Sequence, residues 1–204
     1  MYQSVLIALR EFGWAEVRKY YNADCCIDAT TIVMDVLDYC GEKARPLCTK
    51  ANIWNKSASE FVEKHGSPAY QTSPPEQLAE WEENRCKWVA VGYATGAPGG
   101  YAGHLVALAP GLLGAEPILI DISLAQANRP DHDIVIPGIF AATTPEFLEG
   151  EESLCLEVNG SSVWYDAEPG RDDYLQTPAW HHTKLRQPVV REIIRHAKRI
   201  ERGI

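Results

Sequence analysis

Between Asn22 and Arg45 the chain places apolar or small residues at Ala29, Ile32, Val33, Val36, Leu37 and Cys40, the i, i+3, i+4, i+7 rhythm of one helical face. Gly41 follows the last of them, where a left-handed C-cap costs glycine least. The spacing predicts a buried helix with Cys25 and Cys26 in its first turn. Asp28, Asp35 and Asp38 lie off the apolar face and are expected to stay wet. Upstream, Val5, Leu6, Ala8 and Leu9, with Phe12 near the end, predict an amphipathic helix over 2–13, and 14–21 reads as a second short helix or a loop. Downstream, 44–47 reads as a short extended piece and 53–64 as a helix anchored by Trp54, Phe61 and Val62. A turn-rich connection over 66–75 leads to Pro75, which is placed to open another helix over 75–85 with Glu76 in its first turn.

From residue 87 the pattern turns to strands. KWVAVGY (87–93) predicts one, and ATGAPGGYAG after it is too rich in glycine for regular structure. HLVALA (104–109) and PILIDIS (117–123) are apolar on both faces, so they read as two central strands covered on both sides. The stretch 125–137 is irregular. LCLEV, Asn159-Gly160 and SSVWYDA form a hairpin signature, because Asn-Gly supplies the positive φ angles of a two-residue turn. Pro188 is placed to open a C-terminal helix with Val189, Ile193 and Ile200 on one face. Helices first, then strands, then one helix, with no repeats or linker, predict an α+β class with a mainly antiparallel sheet. The length fits a single domain over 1–204.

Three residues in this pattern carry candidate chemistry. A cysteine at a helix start feels the positive end of the peptide dipoles, which favours the thiolate, the nucleophilic form. The competing reading of Cys25 and Cys26 is two small buried hydrophobes. His104 and Asp121 sit on the two central strands. If their hairpin turns between Leu112 and Leu113, partners sum to 225 and His104 faces Asp121, with Cβ atoms ~5 Å apart. The carboxylate would then orient the imidazole, leaving its other nitrogen to exchange a proton with a thiol. A slip of one residue would send the two side chains to opposite faces. The plainer reading is a histidine at a strand edge and an aspartate ending a strand.

Cysteine, histidine and aspartate in that order, on a helix start and two successive strands, resemble the papain-like fold group, and within it the transglutaminase-like branch and the arylamine N-acetyltransferases. In that branch a cysteine opens a helix ending in a Gly-x-x-Ala-Arg segment, which Gly41, Ala44 and Arg45 match. GHLVALA and LIDISL look like the family's histidine and aspartate strands. The resemblance covers roughly residues 20 to 125. It implies Cys26 as nucleophile, His104 as general base and acid, and Asp121 as the orienting group, with the nucleophile helix packed on the sheet. Leu105 stands where the family often has an aromatic residue, and Thr30 where it has a small one. Helix phase by itself leaves Cys25 and Cys26 equivalent, since they flank the apolar stripe at similar angles. The backbone N–H of Cys26 is available as one oxyanion donor, and the sequence names no second.

Composition narrows the alternatives. Six cysteines and six histidines raise the question of zinc, but no Cys-x-x-Cys pair is present, Cys40 and Cys48 are too far apart, Cys86 and Cys155 are isolated, and His181 and His182 are neighbours. No metal or cofactor is expected. A disulfide between Cys25 and Cys26, the basis of a redox switch, would be strained within a helix. The net charge of −9 argues against nucleic acid or an anionic membrane as partner. The apolar run before Arg10 and Glu11 is too short for a signal peptide or a membrane span, and cysteines without an export signal point to the cytoplasm. Residues 184–204 hold +5, leaving −14 elsewhere, so the C-terminal helix either solvates its charges or docks an acidic partner or a second copy. The run from Asn128 to His132 either overhangs the pocket or is a solvated loop. The expected function is thiol acyl transfer on an amide or acyl substrate (protein, peptide or small molecule), of transglutaminase, peptidase, deamidase or N-acyltransferase type. The glycine-rich loop before His104 could shield a thioester from water. The alternative is a non-catalytic binding protein of the same fold.

Overall fold

The computed structural model describes residues 1–21, 25–66, 73–93, 101–111 and 115–203, the side chains at 183–185 excepted. Among them the helices are α1 (Tyr2–Val17), α2 (Cys26–Tyr39), α3 (Lys56–His65), α4 (Pro75–Glu83), α5 (Pro145–Glu149), α6 (Pro178–His181) and α7 (Thr183–Glu201). The strands are β1 (Arg45–Trp54), β2 (Trp88–Val91), β3 (His104–Ala109), β4 (Ile118–Asp121), β5 (Ile139–Ala142), β6 (Leu154–Val158) and β7 (Ser161–Ala167). They form one sheet in the order β5-β4-β3-β1-β7-β6, with β2 paired to β1, and every pairing between these strands is antiparallel. The chain is therefore a mixed α/β protein on an antiparallel sheet, as the order of elements predicts. Among the described residues no helix is long and apolar enough to cross a membrane.

The central strand is β1, where a short extended piece and the start of a helix were expected. From Thr49 on it alternates, with Thr49, Ala51 and Ile53 buried and Lys50, Asn52 and Trp54 less so. β7 runs along one side of it. On the other side β3 pairs with residues 45–49, and β2 takes over at 51–54. Only at Asn55 does the helix begin. The Asn55 side-chain oxygen accepts from the N–H groups of Ala58 and Lys87, and its amide donates to the carbonyls of Arg85 and His132.

Two apolar layers flank the sheet. On one face α1, α2 and α7 bury Val5, Leu9, Ile32, Val36, Val189 and Ile193 against Ala107, Ala109, Ile120 and Ile122. On the other, Val106, Leu108, Leu119 and Tyr165 meet Leu124, Ala127, Ile134, Ile136 and Phe147. The irregular stretch after β4 thus covers the sheet, and Asn128–His132 is the half-exposed to exposed rim of that cover. α2 ends as its sequence predicts. Gly41 takes φ +81°, the N–H of Glu42 donates to Leu37 O, and that of Gly41 donates to Asp38 O.

Four further expectations need correction. α1 does not stop near residue 13 but continues to Val17. Asp28 is buried instead of wet, because α6 and α7 pack against α2, and burial raises its carboxyl against the opposing pull of the Arg186 charge. α7 starts at Thr183 and contains Pro188, whose missing N–H forgoes one bond in an early turn without ending the helix. The hairpin register also differs, since Ala107 pairs with Ile120 and Leu108 with Leu119, so partners sum to 227. Asp121 therefore stands across from Val106, diagonal to His104. A shift of two residues keeps both side chains on one face. The turn itself, residues 112–114, lies outside the described residues, as does most of the glycine-rich stretch, 94–100, and residues 67–72 of the 66–75 connection. The Asn159-Gly160 turn has positive φ at both residues, as that dipeptide requires.

Candidate active site

The site is assembled where β1 changes partners. His104 is the first residue of β3 and pairs with Thr49, the last β1 residue before β2 takes β3's place. Here β2 turns away at Gly92, with φ +85°, and a Cβ added there would lie 2.7 Å from the backbone nitrogen of His104. Both the positive φ and the close approach demand glycine. Gly92→Ala is expected to destabilise the fold by about 2 kcal/mol or more, read by urea denaturation, and to loosen the seating of His104.

α2 brings the cysteines to this point. Cys26 is its first residue, and the first helical bond runs from Ala29 N to Cys25 O, so the amides of Cys26, Ile27 and Asp28 have no partner within the helix. Thr30, one turn on, donates through Oγ1 to Leu105 O at 2.7 Å and ties the helix start to β3 beside His104. The two cysteines part company here. Cys25 joins the core beneath α1 and α7, and burial, with Cys26 and Asp28 adding to it, pushes its thiol up to about 12. Cys26 packs instead with Ile27, Cys48, Leu105 and Tyr174, and 8% of its surface remains exposed.

His104 has no exposed surface. Its Nε2 lies 2.6 Å from Asp121 Oδ2. The same Oδ2 accepts from Tyr165 Oη at 2.9 Å, and Oδ1 accepts from Ser123 N, Ser123 Oγ and Leu124 N at 2.9 to 3.0 Å. Five donors on one buried carboxylate fix its plane and favour its charged form. Burial raises the Asp121 carboxyl, but His104, Ser123 and Tyr165 outweigh it, and the group titrates below the usual range. Burial likewise works against a charged His104, yet the Asp121 carboxylate, joined by Cys26, holds its pKa well above that of an ordinary histidine. The two shifts agree on a buried ion pair. Among the described residues His104 Nδ1 is buried with no hydrogen-bond partner, so the ring's second nitrogen is uncommitted.

Around the sulfur the walls are aromatic. Tyr101 and Tyr174 meet edge to face, and Tyr174 does the same with Trp180. Arg171 lies over the Tyr101 ring at 5.1 Å, pairs with Glu168 and Asp173, and donates to Ala102 O. Cys48 donates to Arg171 O, and burial raises its thiol. The structure thus brings the three sequence-derived residues to one place, with Cys26 rather than Cys25 turned toward the histidine. It adds Tyr165 and Ser123, which sequence reasoning did not name, and gives Thr30, there only a departure from the family pattern, a supporting role. Ser123 had a signal, since an aspartate two residues before a serine is a turn former. Tyr165 had only its inward position on an alternating strand. Among the described residues no cluster of His, Cys, Asp or Glu is arranged to hold a metal. The chain matches no family profile, no curated protein and no solved structure.

Proposed function

We propose that the chain is a thiol acyl-transfer enzyme with the papain-like, transglutaminase-like arrangement, a single domain over 1–204 acting in the cytoplasm. Cys26, as thiolate, attacks the carbonyl carbon of an amide or acyl substrate of a protein, peptide or small molecule. A C–S bond forms while the carbonyl π pair moves to oxygen, where the amide N–H of Cys26, which has no partner within the helix, donates to it. His104, its Nε2–H held by Asp121, gives the Nδ1 proton to the departing amine as the C–N bond breaks. Water or a second amine then attacks the thioester and loses its proton to Nδ1, and the sulfur leaves. Only the acceptor separates hydrolysis from transfer, and the chemistry needs no cofactor. The observation that carries this reading is the clamped His104–Asp121 pair with an uncommitted Nδ1 beside a helix-start thiol.

The test is competition among six thiols, none of them in a disulfide. Cys155 is the exposed one, so accessibility alone would have iodoacetamide label it first. At limiting reagent and pH 7, peptide mapping should instead find Cys26 modified first. Labelling that starts at Cys155 and reaches Cys26 last would reject the enzyme. It would favour a non-catalytic binding protein of the same fold, a reading to which the near-complete burial of Cys26 lends weight.

A further inference from the structure

At the far end of α2 from Cys26, a groove of about 830 Å³ separates that helix from α7. Burial of Val189, Val190, Ile193, Ile194 and Ala197 turns the opposite side of α7 outward, and Arg191, Arg195, Arg199 and Arg202 line the groove. Of these, Arg195 pairs with Glu192, whereas Arg191, Arg199 and Arg202 have no ion-pair partner among the described residues. The facing wall carries Asp35 and Asp38 from α2. Asp38 pairs with Lys43, and half-buried Asp35 has its carboxyl raised by burial and by Asp38 against the pull of Arg186.

The geometry points to an extended acidic peptide of a partner protein, with carboxylates at alternate positions, as the occupant of this groove. From Arg191 to Arg202 the helix rises about 16 Å, which about five extended residues span at roughly 3.3 Å each. Alternate side chains of such a strand fall on one face about 6.6 Å apart. That matches the rise of about 6 Å from Arg191 to Arg195 and again to Arg199. The other side chains of the strand would face the α2 wall, where the two aspartates disfavour a ligand charged on all sides. A nucleic acid strand meets that penalty as well as the overall charge of −9. Asp35 lies about 14 Å along the helix from Cys26, so docking does not depend on the thiol.

An acetylated and amidated Glu-Ala-Glu-Ala-Glu peptide carrying a neutral dye reads this directly by fluorescence anisotropy at low salt. It should bind the intact protein, and it should bind Cys26→Ser equally well. The double variant Arg191→Glu/Arg199→Glu should bind it at least tenfold more weakly; both positions are exposed, so the variant should melt like the parent. The Lys-Ala-Lys-Ala-Lys analogue should not bind. Unchanged binding by the double variant would overturn the proposal. So would equal competition by a thymidine decanucleotide, or a dimer of this chain that the double variant abolishes.

Discussion

Asp121→Ala is expected to remove about 3–5 kcal/mol of folding stability, the range for stripping one partner from a buried, hydrogen-bonded ion pair. For a chain of this length that lowers the melting temperature by roughly 10 °C. The substitution leaves the imidazole of His104 without its counter-charge and the Tyr165 hydroxyl and Ser123 without their acceptor, all in buried surroundings. Asp121→Asn keeps the shape and part of the hydrogen bonding, so it isolates the charge. The pair's contribution follows the two shifts. The His104 pKa is raised on folding, so its share is complete below the unfolded value of about 6.5 and fades as pH climbs through the higher folded value. The Asp121 pKa is lowered, so its share is complete above about 3.9 and fades as pH drops through the lower folded value. The difference in unfolding free energy between the parent and Asp121→Asn should therefore be widest between about pH 4 and 6.5 and narrow on either side. Urea melts across that range that give a flat difference would mean the pair is not ionised.

The parts of this arrangement that sequence made legible share a local cause. The apolar stripe of α2, its Gly41 cap and the Asn159-Gly160 turn are each set by residues within a few positions of one another. What sequence missed was decided at a distance. β1 contains Pro46, Lys50 and Asn52 and has small inward side chains at Thr49 and Ala51; it is a strand because β3, β2 and β7 pair with it from both sides. α1 runs past residue 13 to Val17, and at Gly13 a Cβ would come within 3.3 Å of Ile122, so glycine lets the helix lie close to the sheet. Asp28 reads as a surface charge, and only the return of the chain at α6 and α7 covers it. The His104–Asp121 encounter survived a wrong register because parity, not the particular partner, decides which face a strand residue takes. The choice between Cys25 and Cys26 could not be made from helix phase. The two differ in surroundings, Cys25 in the core with α1 and α7 and Cys26 beside Leu105, where Thr30 ties α2 to β3.

His104→Ala should slow iodoacetamide alkylation of Cys26 about tenfold at pH 6, with little change near pH 10. In the proposed mechanism the imidazolium, which the Asp121 carboxylate keeps charged, would stabilise a thiolate placed beside it. An ordinary thiol, with a pKa of about 8.5, is only about 0.3% thiolate at pH 6. Pairing with an imidazolium multiplies that fraction by as much as a few hundred, but a more stable thiolate is also a weaker nucleophile, with a Brønsted slope of about 0.5, which returns most of the gain. A net factor of about ten remains for simple alkylation. For acyl transfer the loss should be larger, on the order of a hundredfold or more, because the same ring must also deliver a proton to the leaving group. Asp121→Asn should fall between the parent and His104→Ala, since a neutral amide still orients Nε2–H but no longer steadies the imidazolium. Alkylation at pH 6 that is the same in the parent and in His104→Ala, with both proteins folded by circular dichroism, would show that the sulfur and the ring do not share a proton.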